Sequence, residues 1–187
     1  MSDSTYLTNQ LLIAMPSLGD PNFSQTVTLV CDHSERGALG LIVNRPLPMR
    51  MADVFQQLEI ELPQGPLGER PVLRGGPMQT DRGFVVHRAA GEWDSTLKVS
   101  TSLHVTTSRD ILAAMSRGEG PGDAVIALGY AGWEGGQLEE EIRANAWLCA
   151  PVDAGLIFDL PFESRWEAAG RLIGVDLARI SPISGHA

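Results

Sequence analysis

Cys31 and His33 are the one nucleophile–base pair that spacing alone suggests in this 187-residue chain. Residues i and i+2 of a strand point the same way, with Cα atoms roughly 7 Å apart, so a thiol and an imidazole there can meet. Such a pair would serve thiol-dependent or hydrolytic chemistry if backbone N–H groups stood beside it as an oxyanion hole. Cys31 shares its strand face with Val27 and Leu29, however, which favours a buried, inert thiol. Arg74-Gly75-Gly76-Pro77 is the second candidate, for anion or ligand binding. Paired glycines can bare consecutive N–H groups as a nest, with Arg74 or Arg82 adding charge. A tight turn between strands is the simpler reading. The third candidate is Gly132-Trp133-Glu134-Gly135-Gly136. Here Gly132, Gly135 and Gly136 could turn N–H groups toward an anion where a helix begins. Glu139, Glu140 and Glu141 already answer that helix dipole, and the Lys and Ser/Thr of a phosphate-binding loop are missing.

Other chemistry finds little footing. The histidines at 33, 87, 104 and 186 are scattered, and Cys31 and Cys149 lie far apart without metal-ligand spacing. Neither a metal nor a cofactor is expected. Trp133, Trp147 and Trp166 could line a pocket, although aromatic residues beside apolar strands usually belong to the core. Fourteen basic against 23 acidic residues give a net charge of -9, and Lys98 is the sole lysine. That balance repels phosphate backbones, so nucleic acid is disfavoured as a partner. The apolar run Leu11–Met15 is too short for a signal or membrane helix. A cytoplasmic protein is expected, folded as one domain over 1–187.

The elements that must position these residues read mostly as strands. Gln10–Met15, Thr26–Asp32 and Ala38–Asn44 are apolar or alternating, and the short turn between the last two predicts a hairpin. Arg45–Arg50, with two prolines, breaks the pattern. Met51, Val54, Phe55 and Leu58 mark an amphipathic helix with its stripe inward. Strands follow around Val72-Leu73 and over Gly83–Arg88, and Thr96–Thr106 alternates as one long strand with a polar face. Thr107 looks like the N-cap of a helix carrying Ile111, Leu112 and Met115. Ala124–Leu128 reads as an inner strand ending in glycine turns. Gly136 then caps a short acidic helix, with Glu139 placed to reach back to its amide. Trp147–Ala150 and Leu156–Phe158 read as short strands, and Phe162, Trp166, Ala169 and Ile173 as one helical face. The pattern predicts a mixed, mainly antiparallel α+β domain.

Several segments together resemble the bacterial YqgE/AlgH family. They are LLIAMPSLGDPNFSQTVTLVCDHSERGALGLIVNRPL, LRGGP, WDSTLKV, TTSRDIL, GYAGWEGGQLEEEIRANAWL and the closing GHA. The resemblance runs nearly end to end. It implies a cytosolic domain whose sheets fold into a flattened pseudo-barrel with flanking helices. It also implies a link to the regulation of alginate production, without naming a reaction. The residues show neither a helix-turn-helix pattern nor a basic recognition stretch. Regulation is therefore expected to act through a small, anionic ligand or a protein partner. A hydrolase or thiol-dependent enzyme and direct DNA binding are the alternatives.

Overall fold

Apolar runs buried on both faces and alternating runs buried on one set the order of layers here. The structure, a computed structural model, describes residues 6–180, so the closing Gly185-His186-Ala187 lies outside the described residues. The strands are β1 (Gln10–Ala14), β2 (Val27–Ser34), β3 (Gly37–Ile42), β4 (Pro46–Arg50), β5 (Pro71–Arg74), β6 (Met78–Arg88), β7 (Thr96–Lys98), β8 (Leu103–Thr106), β9 (Ala124–Glu134) and β10 (Trp147–Pro151). The helices are α1 (Met51–Gln57), α2 (Arg109–Ser116), α3 (Gln137–Arg143), α4 (Ala154–Phe158) and α5 (Arg165–Leu172). The main sheet runs β10-β1-β2-β3-β9-β6-β8-β7, and β4 joins through β5 to β9. Only β5 with β9 is parallel among the described pairings. The result is the expected α+β class: a curled, mainly antiparallel half-barrel with helices on its faces. No helix among the described residues is long and apolar enough to cross a membrane.

Three apolar clusters hold the layers together. The largest takes Leu11 and Ile13 of β1 and Val27, Leu29 and Cys31 of β2, and α4 and α5 close it with Leu156, Ile157, Trp166 and Ala169. Leu12, Ala14 and Val30 face the opposite way, toward Leu138 of α3 and the rings of Trp133 and Trp147. The central strands are thus covered on both sides, which is why β1 is apolar throughout rather than alternating. A third cluster sits under α1 and α2, from Met51, Val54, Phe55, Ile111, Leu112 and Met115.

Five expectations need correction. The Arg45–Arg50 break contains β4, which tolerates its prolines because the pairing with β5 is interrupted. Pro46 stands opposite Leu73 at the strand's first position, Arg50 pairs with Pro71, and Pro48 falls in the irregularity between them. Thr96–Thr106 is not one strand but the β7–β8 hairpin. Its turn forms because Ser100 Oγ accepts the Leu103 N–H at 3.1 Å while Leu103 O accepts those of Val99 and Ser100. Ser108 rather than Thr107 caps α2. Leu156–Phe158 lies in α4, started by Asp153, whose carboxylate accepts the Gly155 N–H at 3.0 Å. Finally, β9 does not stop at Leu128 but continues through Gly132 and Trp133 to Glu134.

Candidate functional site

The extension of β9 explains the two glycine motifs together. β5 pairs with one edge of β9, Arg74 opposite Leu128, and β6 pairs with the other, Met78 opposite Tyr130. The chain therefore changes edges through Gly75, Gly76 and Pro77, passing over the face of β9. No room remains for side chains at this crossing. A Cβ on Gly75 would overlap the Gly129 carbonyl, and one on Gly76 the backbone of Tyr130 and Ala131. Gly129 itself takes φ +77, a conformation that glycine adopts without penalty. The Gly75 N–H donates to Leu128 O at 2.7 Å, and Gly75 O accepts the Ile42 N–H at 2.8 Å. Neither Gly75 nor Gly76 is left-handed, so the alternation of an anion nest is missing. The crossing is a backbone contact. Around it, Arg74 and Gly132 are exposed, Pro77 is half-buried, and Met78 lies over Gly132.

The acidic helix beyond the crossing is equally committed. Gly136 caps α3 with φ +81, as expected, but Glu139 does not return to its amide. Glu139 instead accepts from His33 Nε2 at 3.0 Å. Burial is the largest single influence and would raise its pKa. The His33 hydrogen bond, a bond to its own backbone N–H and the nearby His33 and Arg143 charges together outweigh it and hold the carboxyl below its ordinary value. Glu141 Oε1 accepts both indole N–H groups, from Trp133 and Trp147, at 3.0 Å each. Its Oε2 accepts from Gln137 Nε2 at 2.9 Å, and Gln137 Oε1 accepts the Glu134 N–H. Phe23 packs edge-on to Trp147, closing the aromatic group. Trp133 is therefore a clamped core residue. Gly135 presses on the Glu35 carbonyl, at the turn between β2 and β3.

Cys31 and His33 do not meet. The β2–β3 register shifts between Val30 and Asp32, and a bulge there breaks the two-residue alternation that would align them. Cys31, 1% exposed, points into the largest cluster. Burial, helped by the nearby Asp32 charge, pushes its thiol pKa far above the ordinary value. His33 reaches the opposite layer at α3. Its Nδ1 accepts the Leu7 N–H at 2.9 Å, which leaves Nε2 to carry the proton donated to Glu139. A second buried imidazole, His87, is also fully bonded: Nδ1 donates to Arg88 O at 2.8 Å, and Nε2 accepts from Thr106 Oγ1 at 2.7 Å.

Open space lies elsewhere. A groove of about 460 Å³ runs between α1 and α2, over Phe84, Val85, Ile126 and Leu128 of β6 and β9. Val54, Leu58 and Leu112 form its walls, and Thr80, Asp81, Thr107, Ser108 and Arg109 stand on its rim. Leu128 joins it to the glycine crossing. Thr107, Ser108, Arg109 and Leu112 fall in the TTSRDIL segment that carries the family resemblance, but no residue of the groove is marked by the sequence as a binding residue. The one available signal was Leu58, which was expected inside the α1 stripe and instead stands exposed beyond the helix end. Among the described residues no group of three His, Cys, Asp or Glu side chains is arranged to hold a metal ion.

Known proteins are similar to this chain in sequence and in fold. A UPF0301 protein of Thioalkalivibrio sulfidiphilus is 52% identical over all 187 residues, covering 100% of both chains. One from Nitrosococcus oceani is 49% identical with the same coverage. The solution structure of the AlgH protein from Pseudomonas aeruginosa superposes with a TM-score of 0.80 at 47% identity, covering 100% of this chain and 99% of that one. The crystal structure of protein DIP2367 from Corynebacterium diphtheriae shares the fold, with a TM-score of 0.75 at 20% identity, covering 97% and 94%. The family model described as AlgH-like matches residues 11–178, and the chain belongs to that family.

Proposed function

We propose that this is a non-enzymatic binding protein of regulatory type, whose α1–α2 groove takes a small ligand with an apolar body and a polar head. The observation that carries this reading is the groove itself. Its 460 Å³ lies within the roughly 300–1,000 Å³ of small-molecule sites, and an apolar floor with a few polar rim groups is their usual composition. Asp81 at one part of the rim and Arg109 at another would orient a hydrogen-bonding head. A protein partner would meet the neighbouring crossing, where Arg74, Met78 and Gly132 are exposed. Influence on alginate production, which the family resemblance implies, would then run through ligand and partner contacts rather than through DNA, which a net charge of -9 repels.

A fragment screen by NMR tests the groove. Binding fragments are expected to shift the amides of Val54, Leu58, Leu112 and Leu128, and Thr107→Trp, at an exposed rim position, is expected to block them without unfolding the protein. Shifts centred elsewhere, or equal binding by Thr107→Trp, would overturn the assignment.

A further inference from the structure

Arg165 opens α5 with its side chain turned inward, and the residue is only 3% exposed. Its Nε donates to Leu160 O at 3.0 Å and its Nη1 to Val43 O at 2.7 Å. The guanidinium lies over the Phe162 ring, 4.4 Å from the centroid. Among the described residues no carboxylate forms an ion pair with it, and Nη2 has no hydrogen-bond partner. A buried cation without a counter-ion is costly. Burial pushes its pKa down to about 10, against the opposing pull of the Asp159 charge.

Two neutral donors could staple those carbonyls equally well, so the charge and the spare nitrogen need another reason. Beside them is a cavity of about 270 Å³, bounded by Arg165, Arg70, Asp123, Asp159 and the rings of Phe158 and Phe162. Asp123 is already neutralised by Arg88. The Arg70 guanidinium makes no hydrogen bond among the described residues; only its backbone is used, the carbonyl accepting the Met51 N–H at the start of α1 and the N–H donating to Leu67 O. Two guanidinium groups thus face one space whose single unpaired acid is Asp159.

We propose that this cavity is an anion site, holding the phosphate or carboxylate group of a small molecule between Arg165 and Arg70. A planar fork suits both oxyanions, each of which can accept two parallel N–H bonds. The Phe158 and Phe162 rings offer apolar surface to the remainder of the ligand. The site lies at the Ala124 end of β9 and is independent of the groove reading.

Thermal unfolding and NMR titration with inorganic phosphate and with benzoate, each against sodium chloride of matched ionic strength, test this. A saturable rise in Tm is expected, since a ligand that binds only the folded state stabilises it by mass action. The stronger of the two probes assigns the site to phosphate or to carboxylate. Arg70→Gln is expected to weaken binding about tenfold through loss of charge-assisted bonds. Asp159→Asn is expected to tighten it about threefold by removing a repelling charge. Arg165→Lys should abolish it, but that change also removes the tie to Val43. The two exposed positions, 70 and 159, therefore decide the matter whether or not the lysine variant folds. No saturable rise above chloride, or unchanged affinity in both Arg70→Gln and Asp159→Asn, would overturn the proposal.

Discussion

Between Gly129 and Leu148 the side chains of Gln137, Glu139 and Glu141 are tied into the fold, whereas around the α1–α2 groove polar groups stand at the edge of open space. In the first region Glu139 holds His33, Glu141 holds two indoles, and Gln137 ties the strand end to the helix. In the second, Asp81, Thr107 and Arg109 line a rim above an apolar floor. The first region reads as the stronger motif, and the second contributes only TTSRDIL, which points to no ligand chemistry. A motif built from Gly, Trp and Glu at fixed spacing need not mark a ligand site. Here it marks where the half-barrel is locked, because Gly129, Trp133, Gly135, Glu139, Glu141 and Trp147 each serve a close approach or a hydrogen bond inside the fold.

The contrast can be broken most forcefully at the crossing. Gly76→Ala drives a Cβ into the Tyr130 carbonyl and the Ala131 nitrogen, and neither backbone can move without opening β9. A loss on the order of 3–5 kcal/mol is expected, a large share of the roughly 5–15 kcal/mol that holds a typical domain together. Gly83→Ala is the control, since its Cβ would meet only Leu128 Cδ2 at 3.8 Å. Its expected change is within about 0.5 kcal/mol. Urea unfolding of both variants measures the difference, and equal stabilities would show that the crossing is not the lock.

Glu141→Met asks the same question of the clamp. It leaves the indole N–H groups of the buried Trp133 and Trp147 without acceptors, which should cost about 2–4 kcal/mol. Near-UV circular dichroism should lose tryptophan signal in parallel. A loss below about 0.5 kcal/mol would mean that water replaces the carboxylate and that the motif has another purpose.

Much of this architecture was legible in advance, for reasons that also explain the failures. Alternation in Thr26–Asp32 and the short turn after it produced the β2–β3 hairpin, because side-chain period and turn length are local properties. The bulge at Cys31 was invisible, since it depends on how β3 pairs with β2 rather than on β2 alone. Thr96–Thr106 kept its alternation through a serine turn, so a hairpin presented itself as a strand. Leu156–Phe158 was too short for periodicity to separate strand from helix. Gly75-Gly76 stands out in the sequence as a glycine pair, but what it approaches is Gly129–Ala131, more than fifty positions away. Arg165 could not be read at all: an arginine at a helix start looks solvent-exposed until tertiary packing turns it inward.

Acid provides the finest comparison of the two regions. His87 sits behind the groove wall, bonded to Thr106 and near His104, and burial, partly opposed by its bond to Arg88 O and reinforced by His104, lowers its pKa from the ordinary 6.5. Below that value the unfolded chain takes up a proton that the folded chain refuses, so stability falls as pH falls from about 6.5 toward the lowered native value. Glu139, on the clamp side, has its pKa lowered from 4.5. Its contribution is present above that value and disappears only as pH drops through the lower native one. The groove side should therefore loosen first on acidification. Hydrogen exchange between about pH 7.5 and about pH 5.5 should show protection lost around β8 before α3, and His87→Asn should flatten that early loss. Protection lost first at α3 would reverse the order of the two regions, and stability constant across this range in the unmodified protein would remove the His87 contribution altogether.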